Sequence, residues 1–216
     1  MDKAKHAGEI IKILKKEFSR ARVALNFSNP FELLIATILS AQATDKLVNS
    51  VTEELFEKYK GASDFASAPL SEIEESIKKV NFFRNKAKSI KGCATVIARD
   101  HAGAVPQTLE GLVRLPGVGR KTANIVLAEA FGKEALAVDR HVKRVSARLG
   151  LSSSEGPDEI EKELCAIVPA KDWASVTRLF TLHGRKTCHA RNPECAVCRI
   201  SGFCAYFRRL SHAASP

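Results

Sequence analysis

A short glycine-rich turn that opens directly into a helix constrains this chain more than any other stretch: Leu115-Pro116-Gly117-Val118-Gly119-Arg120-Lys121-Thr122-Ala123-Asn124-Ile125-Val126-Leu127. Pro116 has no amide donor and ends whatever precedes it. Gly117 and Gly119 permit backbone angles and close approaches that a side chain forbids. Beyond the turn, Ala123, Val126, Leu127 and Ala130 recur at helical spacing, which predicts a helix with one buried apolar face. The amides of Gly117, Val118 and Gly119 lie at the positive end of that helix without partners inside it, so the turn is expected to offer a phosphate site. Lys121 stands beside it in the first helical turn. Taken alone, the same residues also fit a plain turn between packed helices with a solvated lysine.

The rest of the chain predicts more helices. Residues 8–18 alternate apolar and charged at helical spacing. Pro30 is a favourable first helical position, and the apolar run Leu33 to Leu39 predicts a central buried helix that ends in the Ser40–Asp45 turn. A third helix carries Val48, Val51, Leu55 and Tyr59 and stops at Gly61. Ser71 and Glu74 have the spacing of a capping box, which predicts a short helix opening there. Helices are expected at 84–100, about 108–113, 118–131 and 138–149, the last closed by Gly150. Two more are expected near 158–168 and 172–184, and Ser211–Pro216 reads as a frayed tail. No β-branched alternation is long enough to require a strand, so the chain is expected to be all-α.

The net charge of +10 favours a polyanionic partner, nucleic acid being the usual one. No apolar run approaches the roughly 20 residues needed to span a bilayer. The first residues lack the layout of a signal peptide, so a cytoplasmic protein is expected. In a reducing compartment the six cysteines read as ligands or core residues rather than disulfides. Cys188, Cys195, Cys198 and Cys204 follow a C-x6-C-x2-C-x5-C spacing within 17 residues, which predicts one metal site. Four thiolates suit either zinc or an iron–sulfur cluster. Cys93 and Cys165 lie on apolar helical faces and are expected in the core. Arg185, Lys186 and Arg191 flank the cysteine segment as candidate phosphate contacts, or as a solvated rim.

The turn at 115–127, together with Phe31-Glu-Leu-Leu-Ile-Ala36, Leu39-Ser-Ala-Gln-Ala-Thr-Asp45, Ala137-Val-Asp-Arg-His141, Leu182-His-Gly-Arg185 and the four-cysteine segment, resembles the endonuclease III family of helix-hairpin-helix DNA glycosylases. The resemblance covers nearly the whole chain. It implies two helical lobes with a DNA-binding cleft between them. One is a bundle at 23–133 with the helix-hairpin-helix at about 108–131. The other combines 1–22 with 134–216 and carries a [4Fe-4S] cluster in the loop 188–204. It implies a monomer acting on double-stranded DNA that holds a damaged base or an abasic site. The reaction it implies is bifunctional: glycosylase and AP lyase on oxidised pyrimidines.

By the same resemblance, Lys121 attacks the sugar C1′, and the resulting Schiff base promotes β-elimination. A lysine attacks only as the free amine, and a helix amino terminus and the adjacent Arg120 both disfavour the ammonium. Asp139 matches an essential carboxylate, and its position also fits an N-cap for the following helix. Arg140 and His141 beside it are candidate DNA contacts. Gln42 matches a residue that fills the hole left by a flipped base, and the segment Asn81–Ala87 matches a wedge loop that would place Phe82 in the stack. Phe83 is expected in the core. The chain departs from the family at Asn81, where a small residue is commoner, at Val113, where some members have glutamate, and at Arg140, where many have threonine.

Three other readings compete. A monofunctional glycosylase for mismatched adenine or thymine fits the fold but leaves Lys121 unused. A non-catalytic DNA-binding module would use the hairpin only for phosphate. A ferredoxin-like electron carrier fits the cysteines but not the hairpin or the charge.

Overall fold

The computed structural model describes residues 2–213. Among these every regular element is helical. The chain divides into two compact units, one formed by Met1–Val23 with Glu134–Pro216 and the other by Ala24–Lys133.

The first helix, α1 (Lys3–Glu17), begins ahead of the periodic segment because the Asp2 carboxylate caps the Ala4 amide. In the second unit, α2 (Pro30–Leu39) starts as Pro30 dictates, with the Asn29 side chain accepting from the Glu32 amide. Every residue from Leu33 to Leu39 is buried, as an all-round apolar helix requires. The remaining helices of this unit are α3 (Asp45–Lys58), α4 (Ala62–Ser67), α5 (Leu70–Ser76), α6 (Phe83–Asp100), α7 (Leu109–Val113) and α8 (Arg120–Ala130). Helix α2 packs on α3, α6 and α8, while α4 and α5 lie along α6.

One local expectation is corrected here, and one helix was not expected. Ser71 does not open a helix: α5 already starts at Leu70, behind Pro69. The carboxylate that caps amides in this region is that of Asp64, which accepts from Lys60 and Gly61 at the start of α4. Helix α4 is six residues long and too short to show a period.

The hairpin turn is seated on α6 at two points where side chains are absent. A Cβ on Gly92 would lie 3.2 Å from Cβ of Pro116. Gly117 has φ +76°, and a Cβ there would lie 2.4 Å from Cβ of Ser89. Gly117→Ala therefore combines left-handed strain with a collision and is expected to cost about 1–3 kcal/mol. Urea denaturation of the variant measures this, and an unchanged midpoint would remove the turn's claim to a forced geometry.

In the other unit, α9 (Arg140–Leu149) is closed by Gly150 at φ +77° and is followed by α10 (Pro157–Ile167), α11 (Trp173–Lys186) and α12 (Ala205–Ala213). One core joins Ala7, Ile10 and Leu14 of α1 to Val142, Val145 and Leu149 of α9, Ile160 and Leu164 of α10, and Val176 and Phe180 of α11. Gly184 lets α11 approach α9, since a Cβ there would sit 2.9 Å from Cβ of His141. The cysteine segment between α11 and α12 has only two short 3-10 turns, Cys195–Val197 and Ser201–Phe203, and Ile200 anchors it in the core. Residues 211–213, expected to fray, continue α12; residues 214–216 of that expected tail lie outside the described residues. Cys93 is fully buried, and burial pushes its thiol up to about 12, while Cys165 packs half-buried against the core. Among the described residues no helix is long and apolar enough to cross a membrane.

Candidate active site and DNA-facing residues

Helix α8 opens at Gly119 with no side-chain cap and no acidic residue in its first turn. Its amino terminus therefore lacks a carboxylate from that turn to complement the dipole, and an external anion can do so. Lys121 is exposed in that turn, as are Gly117 and Gly119. Val118 departs from the expected role. Its side chain is only 6% exposed and its amide donates to the Leu115 carbonyl at 3.1 Å, so the turn itself uses that donor. The backbone available to a phosphate is that of the two flanking glycines. Val113, where a glutamate was the alternative, is 42% exposed and brings no proton carrier.

Gln42 and Phe82 stand at the ends of two loops of the same unit. Both adopt left-handed backbone, with φ 54° and 59°. Phe82 is 61% exposed, although an isolated phenylalanine would normally bury. Phe83 was expected in the core but is half-buried, with the Arg84 guanidinium 4.8 Å from its ring centre. Lys86 is buried; its ammonium donates to the carbonyls of Leu39 at 2.8 Å and Ala41 at 2.5 Å, at the carboxyl end of α2. Burial holds its pKa below the usual lysine value.

Asp139 is the N-cap of α9. Its Oδ1 accepts the amides of His141 at 2.8 Å and Val142 at 2.7 Å, and its Oδ2 accepts the Thr181 hydroxyl at 3.3 Å. The carboxylate is thus oriented by two helices. His141 Nδ1 is bonded to an Arg144 guanidinium nitrogen at 3.0 Å; because guanidinium can only donate, that ring nitrogen is the acceptor. Burial lowers the His141 pKa, the nearby Asp139 opposes this, and Arg144, Arg140 and Arg185 reinforce it. Arg140 is exposed beside it.

The four cysteines line one cavity with Val145, Leu149 and Ile200. Among the described residues no three His, Cys, Asp or Glu side chains converge closely enough to hold a single metal ion. The thiols instead surround an apolar space. Burial pushes Cys198 up to about 11 and raises Cys195 as well, and the neighbouring thiols add to both shifts. Ionising Cys195 and Cys198 therefore calls for a cationic guest.

Two residues absent from the sequence expectations hold this loop. Arg144 donates to the carbonyls of Cys188 at 3.0 Å and Gly184 at 2.8 Å. Arg148 donates to Cys188 Sγ at 3.2 Å and to the carbonyls of His189 at 2.6 Å and Ala190 at 3.0 Å. Their separation by one helical turn on α9 was the available signal, but nothing local distinguishes them from solvated charges. Arg185, Lys186 and Arg191 are exposed, with the Lys186 ammonium 5.6 Å from the Phe18 ring centre.

The sequence pattern of the HhH-GPD superfamily of base excision DNA repair proteins matches residues 35–170. The chain is 47% identical to endonuclease III of Synechocystis sp. over 203 residues, which cover 94% of this chain and 93% of that protein. It is 39% identical to endonuclease III of Escherichia coli K12 over 210 residues, covering 97% and 99%. A solved structure of a trapped endonuclease III–DNA covalent intermediate, an estranged-adenine complex, superposes with a TM-score of 0.91 at 40% identity. That match covers 96% of this chain and 98% of the other.

Proposed function

Because the chain belongs to the HhH-GPD superfamily of base excision DNA repair proteins, and within it to the endonuclease III family, we infer that it is a bifunctional DNA glycosylase and AP lyase acting on oxidised pyrimidines in duplex DNA. Lys121 is the nucleophile. Its amine adds at C1′ of the extruded nucleotide while the damaged base leaves with its bonding electrons and takes up a proton. Ring opening converts the adduct to a Schiff base. Loss of the proton at C2′ then expels the 3′ phosphate by β-elimination. The observation that supports this most is an exposed primary amine in the first turn of α8, directly after the exposed glycines Gly117 and Gly119.

Asp139 stabilises the positive charge that develops on the sugar. Its Oδ1 is taken by two helix amides, so Oδ2 is the oxygen for this task. Gln42 and Phe82 fill the gap left by the extruded nucleotide. Gly117, Gly119, Arg120, Arg140, His141, Arg185, Lys186 and Arg191 contact the phosphate backbone, which carries most of the affinity. Cys188, Cys195, Cys198 and Cys204 hold a [4Fe-4S] cluster, as membership of the endonuclease III family implies; that all four thiols line one cavity supports a shared site. The cluster supplies rigidity to the basic loop.

A panel of duplexes tests the reaction class. Excision is expected at thymine glycol, with strand nicking at an abasic site, while mispaired adenine stays intact. Excision of mispaired adenine or thymine without nicking would reassign the protein to a monofunctional enzyme. Binding without any product would leave a DNA-binding module.

A further inference from the structure

The turns that carry Gln42 and Phe82 are fastened to one another. Asn81 donates from its side-chain Nδ2 to the Gln42 carbonyl at 3.1 Å, across 39 residues of sequence. The acceptor is a carbonyl, so the amide nitrogen must face it. We propose that Asn81 is a positioning residue: its side-chain amide joins the Gln42 and Phe82 turns into a single two-pronged wedge. This rests on the reading of Gln42 and Phe82 as residues that enter the opened duplex.

Three observations converge. Both prong residues sit in left-handed backbone that a non-glycine residue adopts at a cost; the Gln42 turn is closed from within by the Ala43 amide on the Ser40 carbonyl at 3.2 Å, and a tie from outside it adds a second restraint. Lys86 restrains the α2 side only as far as the Ala41 carbonyl, one residue short of the prong. Asn81 supplies the next restraint, at Gln42 itself, and it is the residue immediately before the other prong. Extruding a nucleotide works against a stacking free energy of a few kcal/mol, and a prong on a loose turn yields to it. With a common base, a load on either prong is shared by both. Alanine at this position keeps both prong side chains and removes only the tie.

The test compares Asn81→Ala, Gln42→Ala, Phe82→Ala and the Asn81→Ala/Phe82→Ala pair in the full, cluster-bearing protein. The readouts are single-turnover base excision from a paired thymine-glycol duplex, nicking of a preformed abasic site, and fluorescence of 2-aminopurine placed opposite the lesion. Asn81→Ala is expected to slow excision by about three- to tenfold, the worth of one hydrogen bond. It should weaken the 2-aminopurine rise in step and slow abasic nicking less. In the Phe82→Ala background the same change is expected to have almost no further effect, because only one prong is left to couple. Equal losses on both substrates, an undiminished effect in the Phe82→Ala background, or no loss at all would overturn the coupling. If Gln42→Ala and Phe82→Ala each leave excision and fluorescence unchanged, the wedge reading itself fails, and the coupling with it.

Discussion

Replacing Lys121 with alanine or glutamine is expected to abolish borohydride trapping of a covalent DNA adduct and to lower excision and nicking by at least about a thousandfold. The size of the effect follows from what is removed. Positioning groups contribute part of a barrier, but a covalent nucleophile is the reaction path itself. Lys121 is exposed, and its helix is packed through Ala123, Val126 and Leu127 on the opposite face, so the fold does not depend on it. Circular dichroism should be unchanged, and DNA affinity should fall only by the share of one cation. Glutamine keeps the length and polarity of the side chain, which separates lost chemistry from lost packing. A variant that still traps would show that another amine carries the reaction, and the proposed mechanism would be lost.

Replacing Cys198 with serine is expected to have the largest effect on stability. Cys198 is half-buried against the core and shares its cavity with the other three thiols. The segment they occupy has almost no regular structure, so its conformation depends on Ile200, on the grips of Arg144 and Arg148, and on whatever the thiols bind. Structural metal sites contribute on the order of 10 kcal/mol to folding, comparable with the entire stability of a small protein. The wild-type protein should be brown, absorbing at about 400 nm, with about four irons per chain. Cys198→Ser should lose that absorbance, expose 187–204 to proteases and weaken DNA binding through the basic residues of the loop. A colourless wild-type protein with one equivalent of zinc would refute the assignment of the cluster. Full stability in the serine variant would refute the structural role.

The features legible beforehand share one property: their physics is local. Pro30 reads as a helix start because its fixed φ suits the first turn and the amide it lacks would be unpaired there anyway. Asp139 reads as a cap because its side chain can reach an orphan amide, and Gly150 as a stop because its left-handed backbone suits glycine. Short helices were harder. Helix α4 spans fewer than two turns and shows no recurring period, and Ser71 mimicked a capping residue whose position was already inside α5. At Val118 the local rule failed for a different reason. The turn closes on itself through the Leu115 carbonyl, a choice of hydrogen bond that composition does not disclose.

By itself, then, the amino-acid order settled the helical class, the glycine turn that opens α8, the lysine placed in its first turn and the four-thiol spacing. Each is a pattern within about two helical turns or one short loop, where chain connectivity brings the partners together. Folding alone decided that Asn81 meets Gln42, that Lys86 is buried under the last carbonyls of α2, and that Arg144 and Arg148 hold the cysteine loop. Those partners lie about 40 residues or more apart. They meet only when buried helices α2, α6, α9 and α11 have packed, because burial of apolar faces, not the polar contacts, fixes which surfaces come together.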